Sequence, residues 1–170
     1  MFLMLLFLLN LSIEVSFPII WGWSLFFHQY GAFTNWTTIT TVIFHALQLA
    51  AIGDATKRVT MLALLHLSFE CAFVFNTVSV LIYWPVVHQT EIIKYNVPVE
   101  LLWMYTVHII PPLTMLVSYI MLDVRLKGDH LKPLLVFFSC YIALNCVVTK
   151  IKGSPVYDFL DWKFLRTLLI

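Results

Sequence analysis

Leu101 to Leu122 is an almost uninterrupted apolar stretch, and several other runs in the chain match it in length. A hydrocarbon core of roughly 30 Å takes about 20 helical residues to cross, so runs of this kind fix the class of fold. A helix satisfies its own backbone hydrogen bonds in lipid, and the runs are too long and too continuously apolar to be the alternating strands of a barrel. Hydrophobic residues make up 61% of the 170 and charged ones only 11%. That is more apolar surface than one soluble core of this size hides. The expected fold is all-α, a polytopic transmembrane helical bundle forming a single domain over residues 1–170.

The apolar pattern gives five segments, at residues 2–27, 36–53, 59–87, 101–123 and 134–150. The links between them are short: His28 to Asn35, Asp54 to Arg58, His88 to Glu100, and Val124 to Pro133. Links of that length join neighbouring helices of one bundle and leave no room for a soluble domain. After Lys150 comes a loop rich in aromatics, with Tyr157, Phe159 and Trp162, and Phe164 to Ile170 then reads as a partial sixth helix at the C-terminus. The opening Met1 to Leu9 lacks the positive residues of a cleaved leader, and the apolar run resumes after Glu14, so it reads as part of the first span.

The net charge is +1 with no basic block or acidic tail, which excludes nucleic acid as a partner and leaves the membrane itself. Basic residues divide evenly between the two sets of loops, with Lys57, Arg58, Arg125, Lys127 and Lys132 on one side and Lys94, Lys150, Lys152, Lys163 and Arg166 on the other. If the tail turns back to the membrane, the hairpin turns place the N-terminus inside. Cys71, Cys140 and Cys146 all fall in apolar segments and read as small buried hydrophobes.

Ionisable groups cost a few kcal/mol each within a membrane segment, so they face the bundle interior and mark function or pairing. Here they are Glu14, His45, His66, Glu70 and His108. His66 and Glu70 stand four apart on one helix face and satisfy each other. Glu14 reads as uncharged or paired with a polar group on another helix. Asn10, Asn76 and Asn145 read as interhelical hydrogen-bond glue. Thr41, His45 and Gln48 form one polar stripe on the second helix, serving either as a packing seam or as the lining of a pocket.

His108 stands apart because Pro111 and Pro112 follow it and free carbonyls about one turn earlier, so a kink is expected beside the imidazole. The threonine cluster Thr37, Thr38, Thr40 and Thr41 opens the second segment. Such hydroxyls often bond back to the preceding turn. A threonine becomes a nucleophile only when a neighbouring base takes its proton, and imidazole is the usual base near neutral pH. A hydroxyl from the second span and His108 from the fourth would form a hydrolytic pair if those helices touch. The six histidines fall about twenty residues apart, without an HxxxH or HExxH box, so no metal site is expected, and no glycine-rich phosphate loop or GxSxG elbow is present.

Tyr30-Gly31, then Trp36-Thr37-Thr38-Ile39-Thr40, with an apolar helix ending at Gly53-Asp54, resembles the start of the androgen-induced and androgen-dependent multi-pass membrane proteins. His108 followed by proline and LTMLVSYIML is similar to a later part of that family, as is Pro155 to Leu160. The likeness runs in order over residues about 30 to 162. It implies a membrane-embedded threonine hydrolase of fatty acid esters of hydroxy fatty acids. By position it implies Thr40, four residues after the tryptophan, as nucleophile and His108 as its histidine, with Thr41 a neighbouring candidate. It also implies a sixth helix after the tyrosine-containing loop.

The expected function is therefore a lipid ester hydrolase with Thr40 and His108 as the catalytic pair, Thr41, His45, Gln48 and Asn145 as substrate-binding or oxyanion groups, and no cofactor. The substrate would enter from the bilayer, and the endoplasmic reticulum or another endomembrane would hold the protein. The competing expectation is a non-catalytic multi-pass protein whose polar seam holds the bundle together or binds a lipid or partner protein.

Overall fold

The computed structural model describes residues 1–21, 31–52, 55–94, 98–122 and 124–157, together with Leu160 and Trp162. The ends of the first segment and of the expected partial sixth helix, residues 22–27 and 164–170, lie outside the described residues. So do Gly53-Asp54 and Asp158-Phe159.

Each of the five expected segments is a helix. α1 is Phe2–Trp21, α2 is Phe33–Ala51 and α3 is Ala55–Ile82. A π-helical turn, Tyr83–Val87, carries α3 into a short α4, His88–Lys94. α5 is Pro98–Leu122, and a 3-10 turn, Gly128–His130, leads into α6, Leu131–Lys152.

The third helix therefore runs past Val87, where the apolar pattern stops, and Pro85 explains how. Proline has no N–H and its ring crowds the preceding turn. Widening to an i→i+5 turn, in which the His88 amide donates to the Tyr83 carbonyl, lets the helix continue around it. α5 begins on Pro98, where a missing amide costs nothing, and continues through Pro111 and Pro112 without a break in helix. The Thr114 hydroxyl donates to the Pro111 carbonyl at 2.9 Å. α6 ends at Gly153, whose φ of +73° makes the left-handed cap and sends its amide to the Thr149 carbonyl.

Among the described residues three stretches are long and apolar enough to cross a membrane: Val59–Thr90, Pro98–Leu122 and Gly128–Lys152. α1 is apolar along Phe2–Trp21, and in α2 Asn35, His45 and Gln48, with the threonines, dilute the hydropathy of a 19-residue helix. The partition of side chains agrees with a lipid surround. Leu62, Leu64, Leu81, Leu102, Leu113 and Ile120 point outward, while Asn10, Thr41, His45, Asn76 and Asn145 are sealed inside. The protein is a multi-pass helical membrane protein.

α2 is the centre of the bundle, packed against α1, α3 and α5. Phe44, Phe69, Ala72 and Met115 join α2, α3 and α5, and Ile13, Trp103 and Val107 join α1 to α5. Phe33, Phe75 and Tyr141 bring α6 against α2 and α3. Polar ties reinforce these seams. Asn10 donates to Thr114 at 3.1 Å across α1 and α5, and Asn76 donates to Thr41 at 2.8 Å across α3 and α2. Asn145 donates to the Gly31 carbonyl at 2.7 Å, at the entry to α2. The three asparagines thus bridge segments, as their burial in apolar runs implied. Among the described residues the buried Oε1 of Glu14 has no hydrogen-bond partner.

Candidate functional site

The first turn of α2 starts earlier than the apolar pattern implies, at Phe33, and this brings Thr34 inside the bundle. Its side-chain oxygen lies 2.9 Å from His108 Nε2 on α5. The other ring nitrogen, Nδ1, lies 2.7 Å from the Met104 carbonyl one turn back on the same helix. A carbonyl oxygen only accepts, so Nδ1 carries the ring proton and Nε2 keeps its lone pair. The Thr34 hydroxyl must then be the donor to Nε2. A hydroxyl, a base holding a free lone pair, and a third group that orients the base make up the arrangement that activates an oxygen nucleophile. Here the orienting group is a backbone carbonyl.

Tyr83, from the π turn, lies flat against the imidazole, with ring centroids 3.4 Å apart and planes 11° from parallel. Pro85 thus has a consequence for the site, since the widened turn that accommodates it carries the ring that backs His108. Both partners are buried, Thr34 9% and His108 4% exposed.

Thr34 and His108 open onto a cavity of about 140 Å³ walled by Phe33, Ile82, Val87, Phe138, Tyr141 and Ile142. Ser79 supplies a further hydroxyl to its lining, and Tyr157 and Leu160 close it from the segment after α6. The Phe33 amide, one of the first-turn donors that a helix cannot satisfy itself, donates to the Tyr157 hydroxyl at 2.9 Å. The positive end of the α2 dipole is at the Thr34 hydroxyl, where negative charge is favoured.

The hydroxyl that reaches His108 is Thr34's and not Thr40's. Thr40 donates to the carbonyls of Trp36 and Thr37 on its own helix, at 3.0 and 2.9 Å. Thr37 and Thr38 bond back to the Thr34 carbonyl, and Thr41 bonds back to that of Thr37. The threonine cluster mostly satisfies itself along the helix, because a hydroxyl in a dry bundle takes the nearest carbonyl.

The other expected site residues lie apart from this cavity. His45 Nδ1 pairs with Gln48 Oε1 at 2.9 Å, and Gln48 lines a different cavity with Leu3, Phe44, Ala51, Leu62 and His66. Thr41 is taken by Asn76. Asn145 does not line the cavity but braces its wall, holding Gly31 on one side and accepting from the Trp162 indole at 2.9 Å on the other.

Two residues of the site escaped the sequence reading. Thr34 had a signal, since positions 34, 38, 41, 45 and 48 share one helical face and extend the polar stripe back by a turn. Tyr83 had none, because its stacking depends on the path of α3 around Pro85. Comparison with protein-family profiles, with curated proteins and with solved structures gives no match to this chain.

Proposed function

We propose that the protein is a membrane-embedded lipid ester hydrolase in which Thr34 is the nucleophile and His108 the general base. The hydrogen bond of 2.9 Å from a buried threonine hydroxyl to the lone pair of an oriented imidazole carries this reading. The Thr34 oxygen attacks the acyl carbon as its proton passes to His108 Nε2. The imidazolium then returns that proton to the departing alcohol as the ester C–O bond breaks. Water, deprotonated in turn by His108, cleaves the acyl-threonine, releases the fatty acid and restores the hydroxyl. No cofactor is needed.

A drug-sized ligand fills roughly 300 Å³ or more, and the cavity is smaller, at about 140 Å³. The ester and the nearest methylenes sit inside, and the acyl chains extend towards the bilayer from which the substrate came. The likeness to the androgen-induced and androgen-dependent proteins supports fatty acid esters of hydroxy fatty acids as the substrate class, with the nucleophile at Thr34 in place of Thr40. Residence in the endoplasmic reticulum or another endomembrane accompanies this proposal.

The competing reading, a non-catalytic bundle, rests on the same contact, because a Thr34–His108 hydrogen bond also ties α2 to α5. Turnover separates the two. Protein in lipid nanodiscs, given a palmitoyl ester of hydroxystearic acid, is expected to release palmitate and hydroxystearate in equal amounts. Folded protein that releases neither above the rate of empty nanodiscs would favour the structural tie.

A further inference from the structure

At the opposite end of α2, about 20 Å along its axis from Thr34, a second set of reactive side chains converges where α3 meets the connection between α5 and α6. Glu70, only 1% exposed, is held between two histidines. His66 Nε2 lies 3.0 Å from its Oε1, and His130 Nδ1 lies 2.5 Å from its Oε2. The Lys127 amide fixes the carboxylate by donating to Oε1 at 2.6 Å, and the Arg125 carbonyl stands 2.9 Å from His66 Nε2. One ligand atom from each of His66, Glu70 and His130 falls within 4.8 Å of the others.

We propose that His66, Glu70 and His130 form a binding site for one divalent transition-metal cation, zinc by ligand type. Two imidazoles and a carboxylate are the donors zinc takes when three ligands come from protein and a fourth position stays open. Nitrogen and oxygen ligands at 2.0–2.2 Å in a tetrahedral array stand about 3.3 Å apart. The two separations from the carboxylate, 3.0 Å to Oε1 and 2.5 Å to Oε2, need to open by less than an ångström, and the remaining separation in the set lies within 4.8 Å. The two rings can make that adjustment, because their side chains are 17% and 23% exposed while the carboxylate between them is anchored.

Each ring nitrogen that faces Glu70 now does so through an N–H, and a metal ligand must present a lone pair there instead, so binding moves that proton to the other ring nitrogen or to solvent. The exposed side of the rings leaves the fourth position to water. Arg125, Lys127 and Asp129 mark the connection as the aqueous end of the bundle, so the cation has a route in. Bound there, it clamps the α5–α6 connection to α3. This site shares no residue with the Thr34–His108 site and stands independently of the hydrolase reading.

The test uses the full chain in detergent, stripped with a chelator and titrated with zinc sulfate alone against a chromophoric competitor. One zinc per chain is expected, with a rise in the unfolding temperature as zinc is added. Asp129→Asn, a neighbour outside the set, should bind as the wild type does. His130→Gln should weaken binding by at least about 100-fold, since even losing an outer partner of a ligand costs 10- to 100-fold. X-ray absorption of the zinc-loaded wild type, which needs no variant, should show imidazole and oxygen neighbours. Wild-type protein that takes up no zinc, sulfur neighbours in the absorption spectrum, or His130→Gln binding at wild-type strength would each overturn the proposal.

Discussion

Thr34→Ala should lower kcat/KM for a long-chain ester by about 10³-fold or more, and His108→Ala should lower it by between about 10² and 10⁴. The fall should appear in kcat, because the apolar walls that hold the ester, Phe33, Ile82, Val87, Phe138 and Ile142, stay in place. The double variant should be no slower than the worse of the two, since a nucleophile and its base act as one unit. Thr34→Ser, which keeps the oxygen and loses a methyl, should retain most of the activity. Thr40→Ala should stay within a few-fold of wild type, because its hydroxyl spends itself on the Trp36 and Thr37 carbonyls. Equal losses in Thr34→Ala and Thr40→Ala would show that helix integrity, and not a reacting oxygen, is being measured.

Phe69→Ala should be the most damaging single truncation in the core. Its ring is 1% exposed, edge-on to Phe44 at 5.3 Å and stacked near Phe73 at 5.7 Å, at the junction of α2, α3 and α5. In lipid the transfer of apolar surface from water contributes little, but the lost packing and the void remain. A loss of about 2 kcal/mol is expected, somewhat below the range for such changes in water-soluble cores. Leu64 is on the same helix but 52% exposed, and Leu64→Ala should stay within about 0.5 kcal/mol. Unfolding of both variants in mixed micelles measures the difference, and similar losses would contradict the assignment of Phe69 to the interior.

The helices were legible because the physics that sets them is local. Twenty apolar residues in a row have few alternatives in lipid, and three spans among the described residues follow from length and hydropathy alone. Their ends were less legible. His88, Gln89 and Glu91 break the apolar pattern but not the helix, which continues because the π turn absorbs Pro85. At α2 the polar pair Thr34-Asn35 read as loop, whereas in the structure both are buried in the first turn.

That shift decides the site. Thr40 stands at the position the family likeness implies, and sequence spacing cannot tell a hydroxyl facing its own helix from one facing another. The contact between the second and fourth spans was anticipated, but the threonine that makes it was not. His130 lies 60 positions from Glu70, so no local spacing linked it to the His66-Glu70 pair. Only the turn Gly128–His130, folded back onto α3, brings them together.

The most direct test of the central claim is to find where a covalent acyl mimic lands. Protein in nanodiscs is treated with a long-chain fluorophosphonate, digested, and the modified residue is located by mass spectrometry. The adduct is expected on Thr34 in wild type, and absent from Thr34→Ala and from folded His108→Ala. An adduct on Thr40 or any other hydroxyl, or one on Thr34 that forms equally fast without His108, would contradict it.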